Sequence, residues 1–112
     1  MKVAIPVNNG VLCMHFGHCS KFTIVEADEQ NRTITSVKTV EPPPHEPGLL
    51  PRWLHEMGVT VVIAGGIGAR AMQIFSQAGV SVIPGAPADK PEVLVRQYLK
   101  GELNTGENVC DH

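Results

Sequence analysis

The part of the sequence with the greatest chemical potential is the segment 11–20, which reads Val-Leu-Cys-Met-His-Phe-Gly-His-Cys-Ser. Two thiols and two imidazoles fall within it, at Cys13, His15, His18 and Cys19. Thiolates suit Cu(I), zinc and iron–sulfur clusters, and imidazoles suit zinc, copper and iron. The spacing lacks the paired Cys-x₂-Cys or His-x₃-His knuckles of structural zinc sites. The missing pairs argue against a structural zinc site. Because thiols and imidazoles are combined so closely, we nevertheless predict a metal or metal-cluster site in this loop.

Further candidate ligands lie in a proline-rich segment and at the end of the chain. His45 is flanked by prolines, which stiffen the backbone around it, and Cys110 and His112 close the sequence. A tail of eleven extended residues, 102–112, spans up to about 36 Å and can therefore return to the loop. Taken singly, a buried cysteine or an exposed loop histidine has an ordinary structural explanation. Their combination in one chain favours the interpretation that these cysteines and histidines bind a metal.

An iron–sulfur cluster needs about four protein ligands, and no single loop of this chain offers four cysteines. We therefore predict mixed ligation. Cys19 and at least one of Cys13 and Cys110 would bind as thiolates, with histidines completing the set: His15, His18, His45 or His112.

A glycine-rich turn, Gly65-Gly66-Ile67-Gly68-Ala69-Arg70, follows an apolar run and precedes a helical pattern. It matches neither G-x-G-x-x-G nor the Walker A motif, so it is a weak nucleotide signal. Backbone N–H groups at a helix N-terminus favour anions. We therefore predict that Gly65, Gly66, Gly68 and Arg70 contact an anion or a cluster; the alternative for Arg70 is a solvated helix face.

Composition excludes several function classes. The 112 residues fit one domain, with 43% hydrophobic and 18% charged residues. A formal charge of −2 and 4% aromatic residues argue against a nucleic-acid binder. The apolar runs are too short for a membrane span or a signal peptide, which predicts a cytoplasmic protein. Three cysteines, an odd number, are then expected to be reduced.

Hydrophobic periodicity predicts eight elements in the order β-β-β-α-β-α-β-α. For example, Leu50, Trp53, Leu54 and Met57 follow helical spacing. Asp89 to Glu92 resembles a capping box that opens the last helix. The expected strands cover residues 2–7, 22–27, 33–40, 59–64 and 80–83, and the expected helices cover 49–57, 69–78 and 89–100.

The element order predicts an α/β fold with one mixed five-stranded sheet and flanking helices. The first three strands would form an antiparallel meander, and the later strands would join by right-handed parallel crossovers. Strands one, three, four and five would then end at one edge of the sheet, where ligands of such sheets gather. We expect His15, His18, His45 and Gly65–Gly68 to share that edge. We expect a domain over residues 1–101 and a tail over 102–112.

Four segments carry a resemblance to a known family: Met1–Val7, His15-Phe16-Gly17, Val62–Ala71 and Gly79-Val80. Over roughly residues 1–100 the chain resembles the dinitrogenase iron–molybdenum cofactor biosynthesis family, which includes NifX-like proteins and the C-terminal part of NifB-like proteins. The resemblance implies a ribonuclease-H-like α/β fold with a mixed five-stranded sheet. It also implies non-catalytic binding or carriage of iron–sulfur or molybdenum–iron–sulfur cluster precursors, with His15 at the position of the motif histidine.

The chain departs from much of that family in its thiols. It has His18-Cys19 where Arg-Ala is common, and it adds Cys13 and the terminal Cys110-Asp111-His112. It therefore resembles a thiol-bearing branch. The implied cargo is an iron–sulfur cluster or a molybdenum-containing sulfide cluster, including a molybdenum–copper sulfide. The implied partners are the cluster or its precursor and a protein that donates or accepts it, with neither nucleic acid nor membrane.

Besides a structural metal-binding module, two other classes of function compete with carriage. A ribonuclease-H-like nuclease needs clustered carboxylates for two metal ions, and the strand Lys2–Val7 has none. A redox or small-molecule enzyme could use Cys13 or Cys19 as a nucleophile beside a histidine. Anion binding without metal would favour that enzyme, and a coloured, metal-loaded protein would favour carriage.

Overall fold

One mixed sheet with helices on both faces forms the protein. The computed structural model describes residues 1–16, 19–43 and 48–106. Within these ranges the sheet has six strands in the order β4-β3-β1-β5-β6, with β2 paired to β1. The strands are β1 (Lys2–Asn8), β2 (Val11–Leu12), β3 (Lys21–Asp28), β4 (Thr33–Val40), β5 (Val61–Ile63) and β6 (Ser81–Ile83). The helices are α1 (Leu49–Glu56), α2 (Ala69–Gln77) and α3 (Pro91–Leu99).

The predicted mixed α/β architecture is confirmed, and each of the eight expected elements is present. The expected number of five strands is wrong, because the short strand β2 lies in the segment that was predicted to be loop. Asn9 and Gly10 both have positive φ, 54° and 83°. This conformation makes a tight two-residue hairpin turn, and Asn8 consequently pairs with Val11.

The predicted capping box at the start of α3 is also wrong. Lys90 occupies the N-cap position and Pro91 begins the helix, without a side-chain capping hydrogen bond. The Asp89 carboxylate instead accepts the backbone N–H of Lys90 at 2.7 Å. The Asp89 carbonyl accepts the backbone N–H of Leu12 at 3.0 Å, so the loop before α3 is fixed to β2.

Strand directions determine which loops meet. β1 pairs antiparallel with β3, and β3 pairs antiparallel with β4, so β4 runs in the direction of β1. β5 and β6 continue in that direction as parallel strands. The carboxyl ends of β1, β4, β5 and β6, at Asn8, Val40, Ile63 and Ile83, therefore lie at one side of the sheet. We call this side the carboxyl edge.

Each face of the sheet has its own hydrophobic core. Leu54 of α1 and Phe75 of α2 pack with Phe22 and Val62 on one face. Leu94 and Val95 of α3 pack on the other face, on side chains that include Ile5 and Ile63. Because β5 is buried on both faces, it needs a continuous apolar sequence rather than an alternating one. None of the helices in the described ranges is both long and apolar enough to cross a bilayer.

Candidate functional site

The loop that follows β2 crosses the carboxyl edge and lies against the glycine turn after β5. His15 forms a parallel bridge with Gly66. The Phe16 N–H donates to the Gly66 carbonyl at 2.8 Å, and the Gly66 N–H donates to the Met14 carbonyl at 2.6 Å. The topology predicted that His15 and this turn would be neighbours, and the bridge confirms it.

Gly65 permits this close approach of two backbones. A Cβ atom at Gly65 would lie 3.1 Å from Met14 Cα and 3.1 Å from Leu12 Cδ2. These distances are shorter than ordinary van der Waals contact between carbon atoms. A side chain at this position would therefore force the loop or Leu12 to shift, which gives Gly65 a steric role, although the sequence pointed to it as a contact for an anion.

Asn8 closes the base of the loop from the end of β1. Its side-chain oxygen accepts the backbone N–H of Ser20 at 2.6 Å, and its amide nitrogen donates to Cys13 Sγ at 3.2 Å. The Ser20 hydroxyl donates to the Val7 carbonyl at 3.2 Å. Asn8 was not among the predicted site residues. The available signal was an amide side chain at a strand end, immediately before an Asn-Gly hairpin turn.

Cys13 is buried and its sulfur is held on two sides. Only 7% of the residue is exposed, and its backbone N–H donates to the Pro6 carbonyl at 2.8 Å. The thiol accepts from the Asn8 amide and donates to the His15 carbonyl at 3.2 Å. If a bound metal displaced the proton of the thiol, the Asn8 amide would still donate to the sulfur, and it would orient the thiolate and stabilise its charge.

Cys19 is half-buried at the other end of the loop and packs beside the core formed with α1 and α2. The pKa of its thiol is raised to about 12, mainly by burial and to a smaller extent by the nearby Cys13, while a backbone hydrogen bond acts in the opposite direction. Both cysteines are free of disulfide bonds. Reactive nucleophilic cysteines have lowered pKa values, so this environment disfavours a nucleophilic Cys19. A cation bound beside the two sulfurs would stabilise the thiolate form and so lower the pKa that burial raises.

Phe16 anchors the loop to the core. Its ring makes edge-on contacts with Phe22 and Phe75, at centroid distances of 5.6 Å in each case. The preceding residues, Met14 and His15, are exposed. The loop therefore has one side fixed in the core and another facing the surface beside Gly66.

The start of α2 completes the described part of the site. Gly68 is its N-cap, and having no side chain it leaves the first-turn N–H groups without a side-chain cap. No acidic residue lies in that first turn, and Arg70 is exposed there. The N–H groups of a first helical turn and a cationic side chain beside them favour an anionic ligand.

The remaining predicted ligands cannot be placed. His18, His45, Cys110 and His112 lie outside the described residues, and they stay predictions. The strand that precedes His45 in sequence is described. This strand, β4, ends at Val40 on the carboxyl edge, and the His45 loop was expected at that edge. Within residues 1–16, 19–43 and 48–106, no three metal-binding side chains come together.

Comparison with known proteins identifies the family. The family model described as "Dinitrogenase iron-molybdenum cofactor" matches residues 1–101. The uncharacterized protein MJ0580 of Methanocaldococcus jannaschii is 33% identical over 111 residues, covering 96% of this chain and 92% of that protein. The chain belongs to the dinitrogenase iron–molybdenum cofactor family.

Solved structures share the fold over nearly the whole chain. The crystal structure of PH0822 superposes with a TM-score of 0.87 at 29% identity, covering 96% of both chains. The apo form of the orange protein from Desulfovibrio gigas superposes with a TM-score of 0.72 at 20% identity, covering 96% of this chain and 93% of that one. The second likeness, at this low identity, concerns the fold alone.

Proposed function

We propose that this protein binds and carries an iron–sulfur cluster or a molybdenum-containing sulfide cluster at the carboxyl edge, without catalysing a reaction. The observation that carries the proposal is that two free cysteines, Cys13 and Cys19, belong to one loop that lies on a glycine turn. Membership of the family supports a role connected with such cofactors. The family resemblance also supports a ribonuclease-H-like, NifX-like domain over residues 1–101.

In this proposal the ligands come from the loop and from segments that reach the same edge. Cys19 and at least one of Cys13 and Cys110 bind as thiolates, and His15, His18, His45 or His112 complete the set. Soft thiolates match iron, copper and molybdenum sulfides, and the Asn8 amide supports the Cys13 sulfur. The backbone of His15 bridges to that of Gly66, which supports His15 as a candidate ligand beside the glycine turn.

The glycine turn supplies the second part of the proposed site. Sulfide clusters with thiolate ligands are anionic. The uncapped start of α2 and the exposed Arg70 offer positive electrostatic potential beside the loop. Gly68 has no side chain to keep the cargo from the start of α2, whereas Gly65 and Gly66 are buried against the loop and act by holding it there.

A redox or small-molecule enzyme is the competing interpretation. It would require a reactive thiol, and burial of Cys19 opposes that by raising its pKa to about 12. A structural metal module is the other competitor. Both faces of the sheet pack on extensive apolar cores, and burial of this kind is what small metal-stapled modules lack, which favours carriage over a structural metal.

Anaerobic reconstitution tests the proposal. Wild type, Cys19→Ser and Cys110→Ser are loaded either with iron and sulfide or with tetrathiomolybdate and copper, and metal content and visible spectra are measured. His55→Ala is the control, because His55 is an exposed histidine of α1 away from the loop. We expect Cys19→Ser to lose loading with its circular dichroism unchanged, and His55→Ala to load normally. Equal loading of all four proteins would contradict the proposal.

A further inference from the structure

The outer edge of β4 is open to solvent. β4 lies at one end of the sheet, and among the described strands it pairs only with β3. Its residues 35–39 are exposed. Val37, in the middle of the strand, is 42% exposed, and within the described ranges Met14 is the only other large apolar side chain exposed to this degree. An open edge of this kind presents backbone groups to which a further strand can pair.

The hydrogen bonds of the sheet show which backbone groups of β4 face the open edge. The backbones of Met1 and Ala27 exchange two hydrogen bonds, of 2.8 and 2.9 Å, so the peptide groups of Ala27 face β1. Because peptide groups alternate in direction along a strand, those of Ile24 face β4 instead. Ile24 is the register partner of Lys38, which therefore bonds back to β3. The N–H and C=O groups of Val37, one residue earlier, point to the open edge.

β4 has few of the features that normally block the pairing of an edge strand. It contains no proline, and Lys38 is its one charged residue. A β-bulge interrupts the ladder opposite Glu26 and Ala27, near the start of β4. Beyond the bulge the outward-facing N–H and C=O groups belong to Val37 and Thr39, and they are available for a further strand.

We propose that the open edge of β4 pairs antiparallel with β4 of a second copy of this chain, with Val37 on the two-fold axis. The two sheets then form one continuous sheet through an isologous contact. A two-fold axis of this kind reverses the strand direction, so the carboxyl edges of the two copies face in opposite directions. The inference does not depend on the proposed function, because the paired edge is at the side of the sheet and contains none of the candidate ligands.

The side chains of β4 favour this register over its neighbours. Outward-facing groups pair only with each other, so Val37 can lie opposite Val37 or Thr39 of the second copy, or Thr39 opposite Thr39. The mixed register sets the two Lys38 side chains directly opposite, where like charges repel. The Thr39 register sets Val37 opposite Glu41. The Val37 register pairs two exposed apolar side chains and sets Lys38 opposite Ser36.

The same register brings opposite charges together. Ser36 is the register partner of Glu26 on β3, and both residues line a surface cavity with Lys38. Lys38 of one copy is then about 10 Å from Glu26 of the other between Cα atoms, a span of two strand spacings that the two long side chains can bridge. The Glu26 carboxylate lies 3.7 Å from Lys2 Nζ, and the Glu26 side chain is 47% exposed, so it can accept a second cation. Each copy supplies one Lys38 and one Glu26, so the charges are self-complementary.

The expected dimer is weak. The edge of one short strand buries less surface than the roughly 1,200 Å² at which stable interfaces begin. We therefore expect a Kd on the order of 0.1–1 mM. Sedimentation equilibrium of the metal-free full chain from about 10 µM to about 1 mM covers this range. In wild type the amide signals of Val37 and Thr39 should shift over the same range, and this measurement needs no variant.

Val37→Glu tests the position of the two-fold axis. The introduced charge would face its own copy across the axis, and we expect association to fall about tenfold or more. Gln73→Glu is the matched control, because it adds the same charge to an exposed position of α2 and should associate like wild type. Circular dichroism confirms that both variants are folded.

Charge exchange tests the register. Ser36→Lys should weaken association because the introduced lysine faces Lys38, and Lys38→Glu should weaken it because the introduced glutamate approaches Glu26. An equimolar mixture of the two variants should associate more strongly than either alone, since the introduced lysine of one copy faces the introduced glutamate of the other.

Three results would overturn the proposal. Wild type that is monomeric at about 1 mM, with constant Val37 and Thr39 amide signals, would leave the edge to a strand of a different protein. A dimer that Val37→Glu does not weaken would use another surface. A mixture that associates no better than its separate components would exclude the Val37 register. Metal loading is not involved in any of these measurements, so the proposed function is tested separately.

Discussion

The side-chain amide of Asn8 donates a hydrogen bond to the sulfur of Cys13 at 3.2 Å. The same side chain accepts the backbone N–H of Ser20 at 2.6 Å. One residue of the central strand β1 therefore holds both ends of the loop 13–20, which we call the Cys/His loop. The two ends of the loop are therefore held by the sheet itself. A binding loop with fixed ends presents its thiols without first having to become ordered.

Asn8→Ala should destabilise the protein by about 1–3 kcal/mol, because the Ser20 N–H and the Cys13 thiol lose a partner. We also expect faster alkylation of Cys13. Urea unfolding and mass-resolved alkylation measure the two effects. Gln73→Ala, on the exposed surface of α2, is the control and should leave both unchanged. An Asn8→Ala protein with wild-type stability and wild-type alkylation would show that the loop is held by other contacts.

Gly65→Ala should cost about 1–3 kcal/mol of stability, because its Cβ atom would press on the Met14 backbone at 3.1 Å. Gly106→Ala is a matched glycine substitution. Its Cβ atom would lie 3.8 Å from the Gly85 carbonyl oxygen, which is an ordinary contact, and we expect little loss.

Thermal or urea unfolding compares the two glycine variants. The chemical shifts of Phe16 and Gly66 then report whether the loop has moved in Gly65→Ala. Equal stability of the two variants would mean that the loop and the turn can separate without cost.

Cys19 should react slowly with alkylating reagents in the metal-free protein. Burial raises the pKa of its thiol to about 12, so the thiolate is scarce at pH 8, and its reaction rate should still be rising at pH 10. Mass spectrometry of iodoacetamide-treated protein measures the rate. The unfolded protein in guanidinium is the control, with a rate that levels off around the ordinary thiol pKa. A rate that levels off below pH 9 in the folded protein would contradict the prediction.

Asp28 should make the hairpin between β3 and β4 sensitive to acid. The backbone N–H and side-chain amide of Asn31 lower the pKa of its carboxyl, and the backbone N–H of Gln30 adds to the effect. Since the folded pKa is depressed, Asp28 stabilises the fold above the ordinary value of 3.8. That contribution is lost as the pH falls through the folded pKa.

The comparison for Asp28 is with Asp28→Asn, which keeps an oxygen acceptor but does not ionise. Wild type should be the more stable protein at neutral pH, and the difference should shrink below pH 3.8. Urea unfolding across pH, with carboxyl ¹³C titration of Asp28, measures it. A stability difference between the two proteins that stays constant down to pH 2 would show that ionisation of Asp28 does not stabilise the hairpin.

Local patterns were sufficient to predict most of the fold. Helical spacing and β-branched runs located each large element, and strand directions followed from the short turn between the second and third predicted strands. The strand β2 was missed although Asn9-Gly10 carried a signal for it, since a two-residue strand has too few side chains to show alternation. The start of α3 was misjudged because Asp89 bonds to its nearest neighbour, Lys90, instead of capping the helix.

The candidate site was predictable only in part. The types and spacing of Cys13, His15 and Cys19 indicated metal chemistry, and topology brought His15 to Gly66. The support of Cys13 by Asn8 was missed. An amide side chain before an Asn-Gly turn marks the position, but its partner depends on where the loop turns back onto the strand. The contact of Gly85 with Gly106 had no signal at all, since backbone atoms make it and every residue has them.

Hydrogen bonds between glycines also constrain the order in which the fold is assembled. Gly85 in the turn after β6 donates to Gly65 in the turn after β5, and Gly106 beyond α3 donates to Gly85, so these contacts close only after residue 106 has been synthesised. Domains whose contacts span long sequence separations complete them late in folding. A nascent chain that has exposed only the loop 13–20 lacks both the glycine turn and the segment at Gly106. The carboxyl edge is therefore completed only after that segment has been translated.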